Sequence, residues 1–301
     1  MLKLNGLYPP LPTSFKEDEE LDPVKITENI NILCSYELAG VLILGSNGEM
    51  VMLDTDEKKI VYDAARKAIP PGKIMIAGTG APSTRETIKL SVIASESGAD
   101  AVLVLNPSYY KGQMDRDALV RYYHDVADKS PAPVIIYNMP ANSGLDMDAE
   151  TIIRASEHQN IAGIKDSGGN LIKMASIIRN TRPGFQVLAG SASFLLPALS
   201  IGAVGGILAL ANIAPALCLG IYDSFIGGDT DKAREYQLLA VDLNTAVTRK
   251  WGVPALKAAM DHLGMYGGPV RKPLLPITSQ INMQLIELID RTITEFNSTS
   301  L

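Results

Sequence analysis

The sequence predicts an α/β protein: a (β/α)8 barrel with a C-terminal helical extension. Three observations carry that expectation. Eight short, near-continuous apolar runs recur through roughly the first 225 residues, as strands buried on both faces of a parallel sheet do. Longer amphipathic stretches separate them, so strand and helix signals alternate eight times over, the count of a closed barrel. Beyond Thr230 the strand signal stops and only helical patterns remain. An open doubly wound sheet shows the same alternation, which alone does not establish closure.

The strand-like runs are GLYPPL (Gly6 to Leu11), AGVLIL (Ala39 to Leu44), KIMIAG (Lys73 to Gly78) and DAVLVL (Asp100 to Leu105). They continue with APVIIY (Ala132 to Tyr137), IAGIK (Ile161 to Lys165), QVLAG (Gln186 to Gly190) and VGGILAL (Val204 to Leu210). Helix starts are marked by Asp22-Pro23, by Asp54 with acids in the turn that follows, by Ser83 and by Asp115, since such side chains accept from the first free N–H groups of a helix. Helical patterns then cover residues 231–247, 254–263 and 278–296. The expected division is a catalytic barrel over residues 1–228 and a helical domain over 229–301.

Composition narrows the functions open to such a fold. The chain has 301 residues, 47% of them hydrophobic, and a net charge of −6. An acidic balance speaks against nucleic acid or an anionic membrane as partner. No apolar run approaches the ~20 residues that span a bilayer. The start, MLKLNGLYPP, has neither a secretory core nor an Arg- and Ser-rich presequence. Cys34 and Cys218, far apart in apolar helical contexts, read as buried thiols. The expected compartment is the cytosol, or the mitochondrion if a transit peptide has been removed.

In a barrel of this kind chemistry lies where strands end. Those positions hold Ser46-Asn47 in GSNGE, Tyr109-Tyr110 after NPS, Tyr137, Lys165 and Gly190-Ser191. Lys165 organises them. A lysine closing a buried run loses water, which lowers its pKa and frees neutral amine. Neutral amine attacks a carbonyl to form an imine, and the iminium draws electrons from the adjacent carbon. Tyr137 ends the preceding strand, where its hydroxyl can move protons. The glycine-flanked Ser46-Asn47 turn offers N–H groups to a carboxylate. Each has an ordinary reading in isolation: a solvated lysine, a packed tyrosine, a plain turn. Other chemistries find no support. His124, His158 and His262 are scattered without metal-ligand spacing. GTGAPS (Gly78 to Ser83) lacks the third glycine of a dinucleotide loop, and no Gly-Lys-Ser/Thr phosphate loop occurs. No cofactor is expected.

Taken in order, GLYPPLPTSF, GSNGE, Tyr137, IAGIKDSGGN and YGGPVRKPL resemble the dihydrodipicolinate synthase/N-acetylneuraminate lyase family of class I pyruvate aldolases. Within it, PSYYKGQM, MPANSGLDM, FQVLAGSASFL, GAVGGILALAN and NTAVTRKWGVPALK are most similar to its 4-hydroxy-2-oxoglutarate aldolases. The resemblance implies Lys165 as Schiff-base lysine and Tyr137 as the acid/base. It implies that Ser46 relays protons to Tyr109, which reaches in from a neighbouring subunit of a homotetramer. Ser46 and Asn47 would bind the pyruvyl carboxylate, with Ser167 and Gly190 lining the rest of the pocket. Typical synthases of the family carry an arginine where this chain has Asn142, so a charged contact to an amino-aldehyde substrate is lost. The implied reaction is metal-independent cleavage of a 4-hydroxy-2-oxo acid, 4-hydroxy-2-oxoglutarate first, to pyruvate and an aldehyde. Cleavage of a 2-keto-3-deoxy sugar acid, dihydrodipicolinate synthesis and non-catalytic binding of oxo acids are the rivals, in that order.

Overall fold

A parallel strand buried on both faces must find hydrogen-bonding neighbours on both edges, and eight such strands satisfy one another by closing. The computed structural model, which describes residues 2–299, shows this closure. Its strands are β1 (Gly6–Tyr8), β2 (Gly40–Ile43), β3 (Ile74–Gly78) and β4 (Ala101–Leu105), then β5 (Val134–Asn138), β6 (Ile161–Asp166), β7 (Gln186–Ala189) and β8 (Gly205–Ile207). All pair in parallel in the order β1-β8-β7-β6-β5-β4-β3-β2. The two ends of that order meet: Leu42 N–H donates to the Pro9 carbonyl at 3.0 Å and Leu11 N–H to the Leu42 carbonyl at 2.9 Å. The first run was expected to be strand through Leu11, yet the regular ladder stops at Tyr8. Pro9 and Pro10 have no N–H to donate, so beyond Tyr8 the contact with β2 passes through the Pro9 carbonyl and the Leu11 N–H.

Helices follow in chain order: α1 (Pro23–Cys34), α2 (Thr55–Ala68), α3 (Thr84–Glu96), α4 (Arg116–Lys129), the short α5 (Pro140–Ser143) and α6 (Ala149–Ala155). Then come α7 (Leu171–Asn180), α8 (Leu195–Ser200), α9 (Pro215–Ile226), α10 (Thr230–Thr245), α11 (Gly252–His262) and α12 (Ser279–Thr299). The four start signals fall at helix N-caps. Asp22, Asp54, Ser83 and Asp115 each accept from the backbone N–H three residues on, at 2.9–3.2 Å. Asp54 and Glu57 complete a reciprocal capping box.

Two apolar layers result. Tyr8, Leu42, Ile76, Leu103, Ile135, Leu188 and Ile207 fill the barrel interior, while outward strand residues pack against the helices. That second layer runs on without a break into Leu243, Val247, Leu256, Leu285 and Ile289 of the C-terminal segment. Between α10 and α11 the chain forms a π-helical turn, Ala246–Lys250, closed by Trp251 N–H donating to the Ala246 carbonyl at 3.0 Å. The sequence pattern, a continuous helix over 231–247, gives no hint of it. Cys218 is buried, but Cys34 is only half-buried at the end of α1, less enclosed than expected. Among the described residues no helix is long and apolar enough to cross a membrane.

Candidate active site

Lys165 faces the barrel interior because β6 carries a bulge. Val134 pairs with Ile161, but Ile135 pairs with Gly163, leaving Ala162 as an extra residue. Ala162 lies in the interior layer. Strict alternation from it would turn Ile164 inward and Lys165 out among the helices. Instead Ile164 packs outward and Lys165 comes level with Tyr137. One surplus residue re-aims the strand's last side chains, a common use of bulges beside reactive sites.

Lys165 is 4% exposed and its Nζ stands 4.3 Å from the centre of the Tyr137 ring. Burial pushes its pKa below the ordinary 10.5, with Tyr137 opposing the shift. A neutral, nucleophilic amine is correspondingly easier to reach. The Tyr137 hydroxyl lies 3.2 Å from Ser46 Oγ. Three groups from three strand ends thus form a chain of amine, phenol and hydroxyl.

Ser46 and Asn47 sit in a single 3-10 turn, Ser46–Gly48, bracketed by two strained residues. Leu44 (φ 55°) and Glu49 (φ 54°) are both left-handed, a region costly for side chains other than glycine. The Leu44 carbonyl lies so close to β3 that a Cβ on Gly78 would come within 1.9 Å of it. On the other side, the Glu49 carboxylate is held by Lys257 Nζ at 2.6 Å and by Arg271 N–H at 2.8 Å. Lys257 also donates to the Pro269 carbonyl at 2.6 Å, and burial depresses its pKa against the pull of Glu49. Phe15 lies between the two cations, 4.6 Å from Lys257 Nζ and 4.3 Å from the Arg271 guanidinium. Arg271 in turn forks onto both oxygens of Glu57 at 2.8 and 2.6 Å. The far end of the chain fixes the turn.

A second polar cluster braces the ends of β5 and β6. Asn138 Nδ2 donates to Asp166 at 2.9 Å and to Asp146 at 2.8 Å, and Lys173 Nζ bridges the same two carboxylates at 3.1 and 2.5 Å. Asp166 is fully buried, and its charge is matched by Lys173 on the helix side, away from the amine of Lys165. Close approach of β6 and β7 also dictates Gly190: a Cβ there would fall 2.1 Å from Ser167 Oγ.

These elements surround a cavity of about 620 Å³. The structure brings Ser46, Asn47, Tyr137, Lys165, Ser167 and Gly190 together on its wall, with Asn142 from α5 at an exposed position. Tyr109 is not among them. Its ring is 83% exposed and meets Tyr110 edge-on, outside its own chain's cavity. Sequence reasoning missed the part of the wall built by the C-terminal segment: Val247, Thr248, Arg249, Gly252 and Val253. NTAVTRKWGV carried a resemblance, but nothing local marks its middle as a π turn. Among the described residues no group of three or more His, Cys, Asp or Glu is placed to hold a metal ion.

A closed barrel whose strand ends bring a buried lysine against a tyrosine–serine pair, with a helical segment completing the wall, describes an α/β-barrel lyase architecture. The chain belongs to the Dihydrodipicolinate synthetase family, whose profile matches residues 3–292. It is 36% identical over 293 residues to a probable mitochondrial 4-hydroxy-2-oxoglutarate aldolase of Emericella nidulans, covering 96% of this chain and 94% of that one. It is also 36% identical to an L-threo-3-deoxy-hexylosonate aldolase of Hypocrea jecorina, over 89% of this chain and 90% of the other. Among solved structures, a dihydrodipicolinate synthase of Bacillus anthracis superposes with a TM-score of 0.92 at 28% identity, over 96% of this chain and 99% of that one. Family membership makes the protein a lyase of the aldolase kind.

Proposed function

We propose that this lyase cleaves 4-hydroxy-2-oxoglutarate to pyruvate and glyoxylate through a Schiff base on Lys165. The observation that carries the reading is the buried Lys165 amine, held below its ordinary basicity, against Tyr137, itself in contact with Ser46. The amine attacks the substrate C2 carbonyl and water leaves, giving a protonated imine. Tyr137 takes the C4 hydroxyl proton. The C3–C4 bond breaks, its electrons pass into the imine, and the aldehyde departs. The enamine is then protonated at C3, and hydrolysis of the imine releases pyruvate and the free amine. The iminium is the electron sink, so the sequence of steps calls for no metal.

N–H groups of the Ser46-Asn47 turn hold the C1 carboxylate, while Ser167 and Gly190 shape the wall around C3 and C4. Asn142 lacks the charge that an incoming amino-aldehyde would need, which supports cleavage over dihydrodipicolinate synthesis. Cleavage of a 2-keto-3-deoxy sugar acid is the second reading, supported by equal 36% identity to the Hypocrea jecorina aldolase. Free thiols at Cys34 and Cys218 suit a reducing compartment, cytosolic or mitochondrial.

Borohydride added with pyruvate should inactivate the enzyme and leave a reduced pyruvyl adduct on the peptide bearing Lys165. Adduct on another lysine, or none, rejects the imine. In a substrate panel followed by pyruvate release, 4-hydroxy-2-oxoglutarate should have the highest kcat/KM and a chelator no effect. Faster condensation of pyruvate with aspartate semialdehyde would instead make the protein a synthase.

A further inference from the structure

The cavity has an unusual charge balance. Among the described residues that line it, Lys165 and Arg249 are the charged ones, and no carboxylate is present. Lys165 is committed to the chemistry. Arg249 belongs to a different element, the π-helical turn. Such turns are uncommon and cluster at functional sites because the widened turn projects side chains an ordinary helix would not. This one is braced from below. Asn244 Nδ2 donates to Ser191 Oγ at 2.9 Å and Ser193 Oγ at 2.7 Å, and Thr248 Oγ1 donates back to the Asn244 carbonyl at 2.5 Å. The neighbouring cation is otherwise engaged, since Lys250 lies over the Trp251 ring at 4.2 Å. Arg249 is exposed at the cavity wall and has no ion-pair partner among the described residues. A planar fork of donors with no carboxylate to meet it suits a carboxylate on a ligand.

We infer that Arg249 is a specificity-determining residue that binds the distal carboxylate, so that the enzyme selects dicarboxylic 4-hydroxy-2-oxo acids over those with uncharged hydroxylated tails. This rests on the proposed lyase reaction and adds to it. With C1 on the Ser46-Asn47 turn and C2 on Lys165, the leaving aldehyde half extends away from the turn. Its terminal group is where a five-carbon diacid and a six-carbon sugar acid differ.

The test is Arg249→Met, with Arg249→Lys beside it, assayed on 4-hydroxy-2-oxoglutarate and on a 2-keto-3-deoxy sugar acid, together with borohydride trapping of pyruvate. Loss of a charge-assisted contact should lower kcat/KM for the diacid roughly 10–100-fold, mainly through KM. Lysine should restore part of it. Pyruvate, which lacks the distal group, should still be trapped at the parent's rate, and the parent's preference for the diacid should shrink or reverse. An equal loss on both substrates and on trapping, or an unchanged KM for the diacid, overturns the assignment. A parent enzyme that releases pyruvate only from uncharged-tail acids also overturns it, while leaving the lyase reading in place. Only the absence of pyruvate release from every 4-hydroxy-2-oxo acid brings down both.

Discussion

Lys165 is costly to fold and useful once folded. Its pKa is held below the ordinary 10.5 by burial, so between the folded and unfolded values the unfolded chain binds more protons and stability rises with pH. Below the folded value the penalty is present in full; above 10.5 it is gone. Lys165→Met keeps the length of the side chain and removes the charge. It should abolish turnover and yet melt above the parent at neutral pH, with a margin that narrows as pH rises towards 10.5. Thermal unfolding across that range checks this, and a Met variant less stable at every pH would mean the ammonium is well solvated. The lysine's presence at a strand end is readable because a charged residue closing an apolar run is anomalous. Its direction is not, because Ala162-Gly163 looks like ordinary strand and the bulge exists only in the pairing with β5. Turn residues such as Ser46, Asn47 and Gly190 are likewise visible as turns, whereas Arg249 falls in the gap between the helical patterns over 231–247 and 254–263, where nothing announces the π turn.

The loop between β2 and α2 shows why a short element need not be locally stable. Leu44 and Glu49 adopt left-handed conformations with no glycine at either position, so the sequence shows the Gly45–Gly48 turn but not the strained backbone on either side of it. What holds it is remote: Lys257 in α11, 1% exposed, and Arg271 beyond it. Removing one member of a buried ion pair strands the other, at a cost of about 3–5 kcal/mol, while replacing both is far cheaper. Lys257→Met should therefore lose about that much stability in urea unfolding, and Glu49→Leu/Lys257→Met should recover part of it. The KM for the oxo acid should stay raised in the double variant, since the Ser46-Asn47 turn has lost its anchor. Recovery of both stability and KM would show that the turn keeps its shape unaided.

We propose that Tyr109 acts beyond the single chain. Its ring is exposed and lies outside its own cavity; in the homotetramer that the resemblance implies, the phenol would reach the Tyr137–Ser46 pair of a neighbour. Tyr109→Phe should lower turnover while leaving the sedimentation coefficient unchanged, and dilution into monomers should lower specific activity. A fully active isolated monomer would remove Tyr109 from the reaction.

The eight alternating runs were readable, though not their closure, since an open doubly wound sheet shows the same alternation, nor the end of the first ladder at Pro9-Pro10. The C-terminal helices were readable as helices, but not as part of the cavity wall. That wall has a consequence for the chain as it is made. The contact from Arg271 to Glu49 spans 222 positions, and a ribosome adds roughly 5–20 residues per second. Lys165 is added 84 residues before Arg249 and 106 before Arg271, so for roughly 4–20 s after it is made the groups that shape the Ser46-Asn47 turn and carry Arg249 have yet to be completed. The nascent barrel thus holds the amine of Lys165 before it can hold a substrate in the proposed way, and competence waits for the helical segment that follows the barrel.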